Sequence, residues 1–172
     1  MMTGSNPLGH RRIAKADSAA IAEAVERLLV GDVVAIPTET VYGLAADASN
    51  AEAVAQIYRT KGRPDFNPLI VHVPDHAAAE RLAQFDDRAS MLAFRFWPGP
   101  LTLVLPLQPD APVAKAVTAG LPTIALRCPA HPVMQAVLKQ SGLFLAAPSA
   151  NRSGGISPTR AEHVARSFGE AM

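Results

Sequence analysis

A single cysteine, Cys128, is the only thiol in this chain. That excludes an internal disulfide and a cysteine-rich metal site, and it fits a reducing compartment. Charge of one sign is also scarce: 16 Lys and Arg face 15 Asp and Glu, a net +1, so no global polycation holds nucleic acid or a membrane surface by charge alone. Aromatic residues amount to 5%, few for stacking on bases. No apolar run approaches the roughly 20 residues that span a bilayer, and the polar start, Met1 to Arg12, lacks a signal-peptide core. The expectation is a cytoplasmic protein with no membrane partner. Several chemical signatures are missing too. There is no GxxxxGKS or GxxxxGKT phosphate loop, and no GxGxxG follows a strand. The five histidines, His10, His72, His76, His131 and His163, show no HxH spacing, and the one HxxxH pair, His72 and His76, has Pro74 between its members, which keeps them off a shared helical turn, so no protein-held metal is expected. Ser149 lies in no GxSxG elbow.

What is present describes one globular domain: 172 residues, 49% hydrophobic and 18% charged. Residues 1–16 are expected to be a disordered leader and residues 17–172 the domain. Asp17 or Ser18 caps a helix with Ile21, Val25, Leu28 and Leu29 on one face, and Gly31 ends it. The strand Val33–Ile36 then gives way to Pro37-Thr38-Glu39-Thr40-Val41-Tyr42-Gly43-Leu44, read as a polar binding loop. Ser49 to Glu52 has the form of a capping box, and the helix it opens runs to Arg59, Lys61 and Arg63, with Gly62 and Pro64 as its stop. Lys61 and Arg63 are therefore expected in a polar loop. Further strands are read at Leu69–Val73, Leu101–Leu107, Thr123–Arg127 and Leu143–Ala147, and helices at 75–82, 86–96 and from Pro132 to Gly142. A second capping box, Thr159 to Glu162, opens the last helix. The sum is an α/β fold with a twisted, mixed sheet flanked by helices.

Several strand ends share one composition: Thr38 and Thr40, Lys61 and Arg63, Arg127, Ser149 and Asn151. Cations with hydroxyls and backbone amides suit phosphate oxygens, which accept charge-assisted hydrogen bonds that Arg makes in pairs. A phosphate-bearing ligand follows from the residues alone. His72, inside an aliphatic strand, reads first as a core histidine satisfied by a backbone carbonyl, and Glu39 as a solvated loop residue.

Four separated segments carry a family likeness: PTETVYGL at 37–44, KGRPDFNPLIVHV at 61–73, FWPGPLTLVL at 96–105 and APSANRSGGISPT at 147–159. Through them the chain resembles the YrdC/TsaC family, the threonylcarbamoyl-AMP synthases, over roughly Ala16 to Met172. The resemblance implies a YrdC-like fold with an open concave cleft and a nucleotidyltransferase that joins L-threonine, bicarbonate and ATP into threonylcarbamoyl-AMP with release of pyrophosphate. That is the first step towards threonylcarbamoyladenosine in tRNA, with tRNA or a threonylcarbamoyl transferase as transient partner. Lys61 and Arg63 are implied as catalytic. The L-threonine site falls on Thr40, His72, Arg127 and Ser149, with Thr38 beside them; the ATP site falls on Arg63, Asn67, Thr123, Asn151 and Thr159. Magnesium is implied on the triphosphate, held by phosphates and water rather than by a carboxylate cage. Family members continue past the last helix into a Gly-rich turn and a further strand, and nothing here matches these. The sequence is therefore expected to be a fragment that lacks the C-terminal strand or strands. The alternatives from other classes are an RNA-binding module and a carbamoyl-adenylate transfer domain.

Overall fold

The computed structural model describes residues 13–168. The leader expected at 1–16 lies outside them up to residue 12; residues 13–16 have no regular structure and lead straight into Asp17. Its carboxylate accepts the Ala20 N–H and starts α1, Ser18–Leu29, as a short acceptor at an N-cap does. Val25 and Leu28 of that helix are buried, whereas Leu29 is exposed. Strand β1, Val34–Pro37, follows.

The next stretch differs from the sequence reading. Only residues 38–41 form a turn, and Tyr42–Asp47 is a second strand, β2, antiparallel to β1 with Ile36 opposite Gly43. Helix α2, Ala51–Lys61, is capped by Asn50, whose Oδ1 accepts the Glu52 and Ala53 amides. Ser49 is not the cap: its backbone and hydroxyl both donate to Asp47, which spends the side chain the capping box required. Gly62 ends α2 at φ +58, a left-handed conformation in which a Cβ is strained. Then come β3, Ile70–His72; α3, His76–Glu80; α4, Asp87–Phe96; β4, Leu103–Pro106; a 3-10 turn at Lys115–Val117; and β5, Thr123–Arg127. The chain continues through α5, Pro132–Ser141, β6, Leu145–Ala146, and α6, Ala161–Phe168.

The six strands form one mixed sheet in the order β1-β2-β6-β3-β5-β4, in which β3 and β5 are the parallel neighbours. Alternation along the strands sorts the side chains into two faces. Leu44, Ala46, Ala146, Val71, Leu126 and Ile124 lie on the first, in one buried cluster with Ala53, Val54 and Ile57 of α2 and Ala79 of α3. On the second face Ile36, Ala45, Leu145 and Ala147 pack under Val25 and Leu28 of α1 and Met134, Val137 and Leu138 of α5. That cover ends at β6. Continuing the second face across β3, β5 and β4 brings Ile70 and His72, then Thr123, Ala125 and Arg127, then Val104. None of these is buried except His72, and Val104 is 65% exposed. A sheet that is dry on one side and half-covered on the other leaves the open shelf on which the site is built.

Candidate functional site

A cleft of about 280 Å³ opens where the helical cover of the second face stops. Its walls come from the turn after β1 (Thr38, Thr40, Val41), from Arg63 and Pro68, from the open face itself (Ile70, His72, Arg127) and from Pro148 and Ser149 after β6. Gly43 forms part of the floor, because β2 approaches residue 147 closely there. A Cβ on it would stand 3.2 Å from the Ala147 Cβ. A larger hollow of about 430 Å³ lies between α1, β1, α5 and α6, is lined mainly by aliphatic side chains and shares no lining residue with the cleft.

Arg127 is aimed rather than free. Its Nε donates to Thr102 Oγ1 at 2.9 Å and its Nη1 to Thr40 Oγ1 at 3.1 Å. The rest of its planar fork, with donors still unspent, lies at the cleft wall. Two threonine hydroxyls stand behind it. Thr38 Oγ1 gives its one proton to the Val41 carbonyl at 2.6 Å and lies 3.0 Å from Thr40 Oγ1, while a guanidinium N–H can only donate. Thr40 thus turns a lone pair to Arg127. Thr38 also accepts the Thr40 and Val41 amides, so its hydroxyl is committed to shaping the turn.

His72 lies between Arg127 of β5 and Leu145 of β6 and is 2% exposed. The expected backbone acceptor is not there for Nδ1, which is buried without a partner. Burial first and the Arg127 charge second push the imidazole pKa down to about 3, against the opposite pull of backbone hydrogen bonding at Leu145 and Ile70. The ring is therefore neutral at physiological pH.

Lys61 is not in a polar loop. It closes α2, is 2% exposed, and donates Nζ to the backbone carbonyls of Ser149 and Asn151. Burial, then the nearby Arg63 charge, lowers its pKa to about 8. The amine ties the helix end to the loop after β6 from behind the cleft, while Arg63, half-buried, is at its wall. Arg63 Nη2 donates to the Pro68 carbonyl at 3.1 Å, and the Tyr58 hydroxyl engages the Asn67 and Ala116 carbonyls at 2.9 Å each.

The other expected residues lie around this centre rather than in its wall. Asn67 follows Arg63 in the loop before β3. Thr123 begins β5, four residues from Arg127, roughly 13 Å along the strand, on the same open face. Asn151 is buried; its Nδ2 donates to the Arg152 and Gly155 carbonyls, and its Oδ1 has no partner. Thr159 is exposed ahead of α6. Three residues of the site were not legible as such: Thr102, Tyr58 and Glu39. Glu39 is no solvated side chain, for its Oε2 accepts the Ala130 and His131 amides and its Oε1 is buried.

Comparison with known proteins identifies the family and the fold. Residues 26–172 match the family model Sua5_yciO_yrdC, described as "Telomere recombination". The threonylcarbamoyl-AMP synthase of Bacillus subtilis (strain 168) is 56% identical over 146 residues, 84% of this chain and 42% of that protein. The protein of the same name from Halorhodospira halophila is 38% identical over 150 residues, 87% of this chain and 78% of its own length. Among solved structures, P. abyssi Sua5 complexed with L-threonine superposes with a TM-score of 0.87 at 46% identity, covering 94% of this chain and 46% of that one. The chain thus spans less than half of the Bacillus relative.

Proposed function

The chain belongs to the Sua5/YciO/YrdC family, and on that footing we propose that its cleft makes threonylcarbamoyl-AMP from L-threonine, bicarbonate and ATP. The names of the relatives support this reading, and one observation of the site carries it. Arg63, His72, Arg127, Thr40 and Ser149, drawn from positions 40 to 149 of the chain, converge on a single cleft of amino-acid size.

The chemistry asks chiefly for positioning. Addition of the threonine amine to the bicarbonate carbon with loss of water gives an N-carboxylate. One of its oxygens attacks the α-phosphorus of ATP in line, and pyrophosphate leaves. Two anions must be held together against repulsion until the P–O bond forms, a task for fixed cations and dipoles rather than for a general base. Arg127, held by Thr40 and Thr102, pairs its unspent donors with the threonine carboxylate. Neutral His72 presents a nitrogen to the threonine without adding to the local charge. Arg63 faces the phosphates, and Ser149 borders the threonine. Lys61 fixes the Ser149 and Asn151 carbonyls, so their loop keeps its shape as the ligand enters. The nucleotide extends from Arg63 past Asn67 towards Thr123 on the open face, with Asn151 and Thr159 bordering it from the loop before α6. Among the described residues no group of three or more His, Cys, Asp or Glu is placed to hold a metal ion. Magnesium carried on the triphosphate would screen phosphate charge there. The product hands its threonylcarbamoyl group to tRNA through a transferase partner. Incubation with ATP, bicarbonate and L-threonine releases pyrophosphate only when threonine is present. Release that ignores threonine, or none from the full-length protein, counts against this reading.

A further inference from the structure

The Glu39 side chain bridges two chain segments that border the cleft. It leaves the turn after β1, and its Oε2 accepts the Ala130 N–H at 3.1 Å and the His131 N–H at 3.3 Å, 91 and 92 residues further along the chain. Those amides lie at the corner between β5 and α5, where His131 is the N-cap and Pro132 follows it. The helix's amino end favours a negative charge there. The neighbours on either side matter more. Thr40 is the next residue after Glu39, and Arg127 precedes Ala130 by three. Their side chains meet at 3.1 Å inside the cleft.

The same two chain segments are therefore fastened twice, once outside the cleft by Glu39 and once at its wall by Thr40 and Arg127. The wall contact is the one a ligand carboxylate would compete with, because it uses an Arg127 donor. The Glu39 contact lies outside the cleft lining, which includes neither Glu39 nor Ala130 nor His131. Thr38 stabilises the turn internally, through Val41 and Thr40, but it does not reach the β5–α5 corner.

We propose that Glu39 is a positioning residue for the amino-acid substrate: its carboxylate buckles the Thr38–Val41 turn onto the Ala130–His131 corner and so sets the separation of Thr40 and Arg127. The role requires an acceptor oxygen at the full reach of a glutamate, with charge secondary. It rests on the threonine reading of the cleft.

Two variants separate reach from charge in steady-state assays of pyrophosphate release by the full-length protein. Glu39→Asp keeps the charge but withdraws the carboxylate by one methylene, about 1.5 Å. It raises the KM for L-threonine at least tenfold, with kcat and the KM for ATP within threefold of wild type. Glu39→Gln keeps an oxygen at the original reach and stays within threefold of wild type for all three constants. Equal KM values for Glu39→Asp and wild type overturn the proposal, as do parallel rises for threonine and ATP, or a loss in Glu39→Gln as large as in Glu39→Asp. Loss of cooperative thermal unfolding in Glu39→Asp also overturns it, since the residue then serves the fold at large. A wild type without saturable threonine dependence removes the threonine reading together with this inference. A saturable wild type with an unmoved Glu39→Asp removes the positioning role alone.

Discussion

Burial and the Arg127 guanidinium keep the His72 proton off, and that has a measurable cost in acid. In the unfolded chain the imidazole takes its proton near pH 6.5, whereas in the folded state it does so only at about 3. Between those values the unfolded state binds the extra proton, so folding stability falls as pH falls, by about 1.4 kcal/mol per pH unit for this one group. The loss is complete below pH 3. Denaturation series between pH 6.5 and 4 should therefore show a shallower decline for His72→Gln than for wild type; parallel curves would mean that His72 is not held neutral. At this scale the sequence was partly informative. Thr40, Arg63, Arg127 and Ser149 stood out because hydroxyls and cations at strand ends are unusual outside sites. Thr102 and Tyr58 did not, since their significance depends on partners 25 and 58 residues away, a separation that no local pattern encodes. Glu39 looked like a loop acid for the same reason.

Among elements, those with a strong period were legible. The α1 face, the β5 strand and α5 between Pro132 and Gly142 follow from apolar spacing and end signals. Strand β2 was not: Tyr-Gly-Leu-Ala-Ala-Asp has no β-branched residue, and it is a strand because β1 and β6 pair with it on either side. The cap of α2 was misread because Ser49 and Asn50 both suit an N-cap and only the Asp47 contact decides between them. The end of α2 has a consequence for stability. With Lys61 tied to the Ser149 and Asn151 carbonyls, Lys61→Met keeps the stem and strands both acceptors in a buried site. An unsatisfied buried group costs about 1–3 kcal/mol, so the denaturant midpoint should drop clearly, while Arg63→Ala, at a half-buried position, should move it little. An unchanged midpoint in Lys61→Met would show that the tie contributes nothing to the fold.

At the scale of the molecule, the site comes from an asymmetry in how the sheet is covered. Helices α1 and α5 roof β1, β2 and β6 on the second face and stop there, so β3, β5 and β4 present a shelf with Arg127 and Thr123 along one strand. The mixed sheet and the flanking helices were legible from the order of elements, and the open cleft from the family likeness. Which strands would be left bare was not, because it depends on the strand order. Among the described residues no helix is long and apolar enough to cross a membrane. The central claim is that this bare shelf seats an amino acid by its carboxylate at Arg127, and calorimetric titration of L-threonine into wild type and Arg127→Leu tests it most directly. A charge-assisted hydrogen bond contributes about 1.5–3 kcal/mol, so wild type should bind one threonine per chain and Arg127→Leu at least tenfold more weakly. Equal affinities, or no binding to the wild type, would contradict the account.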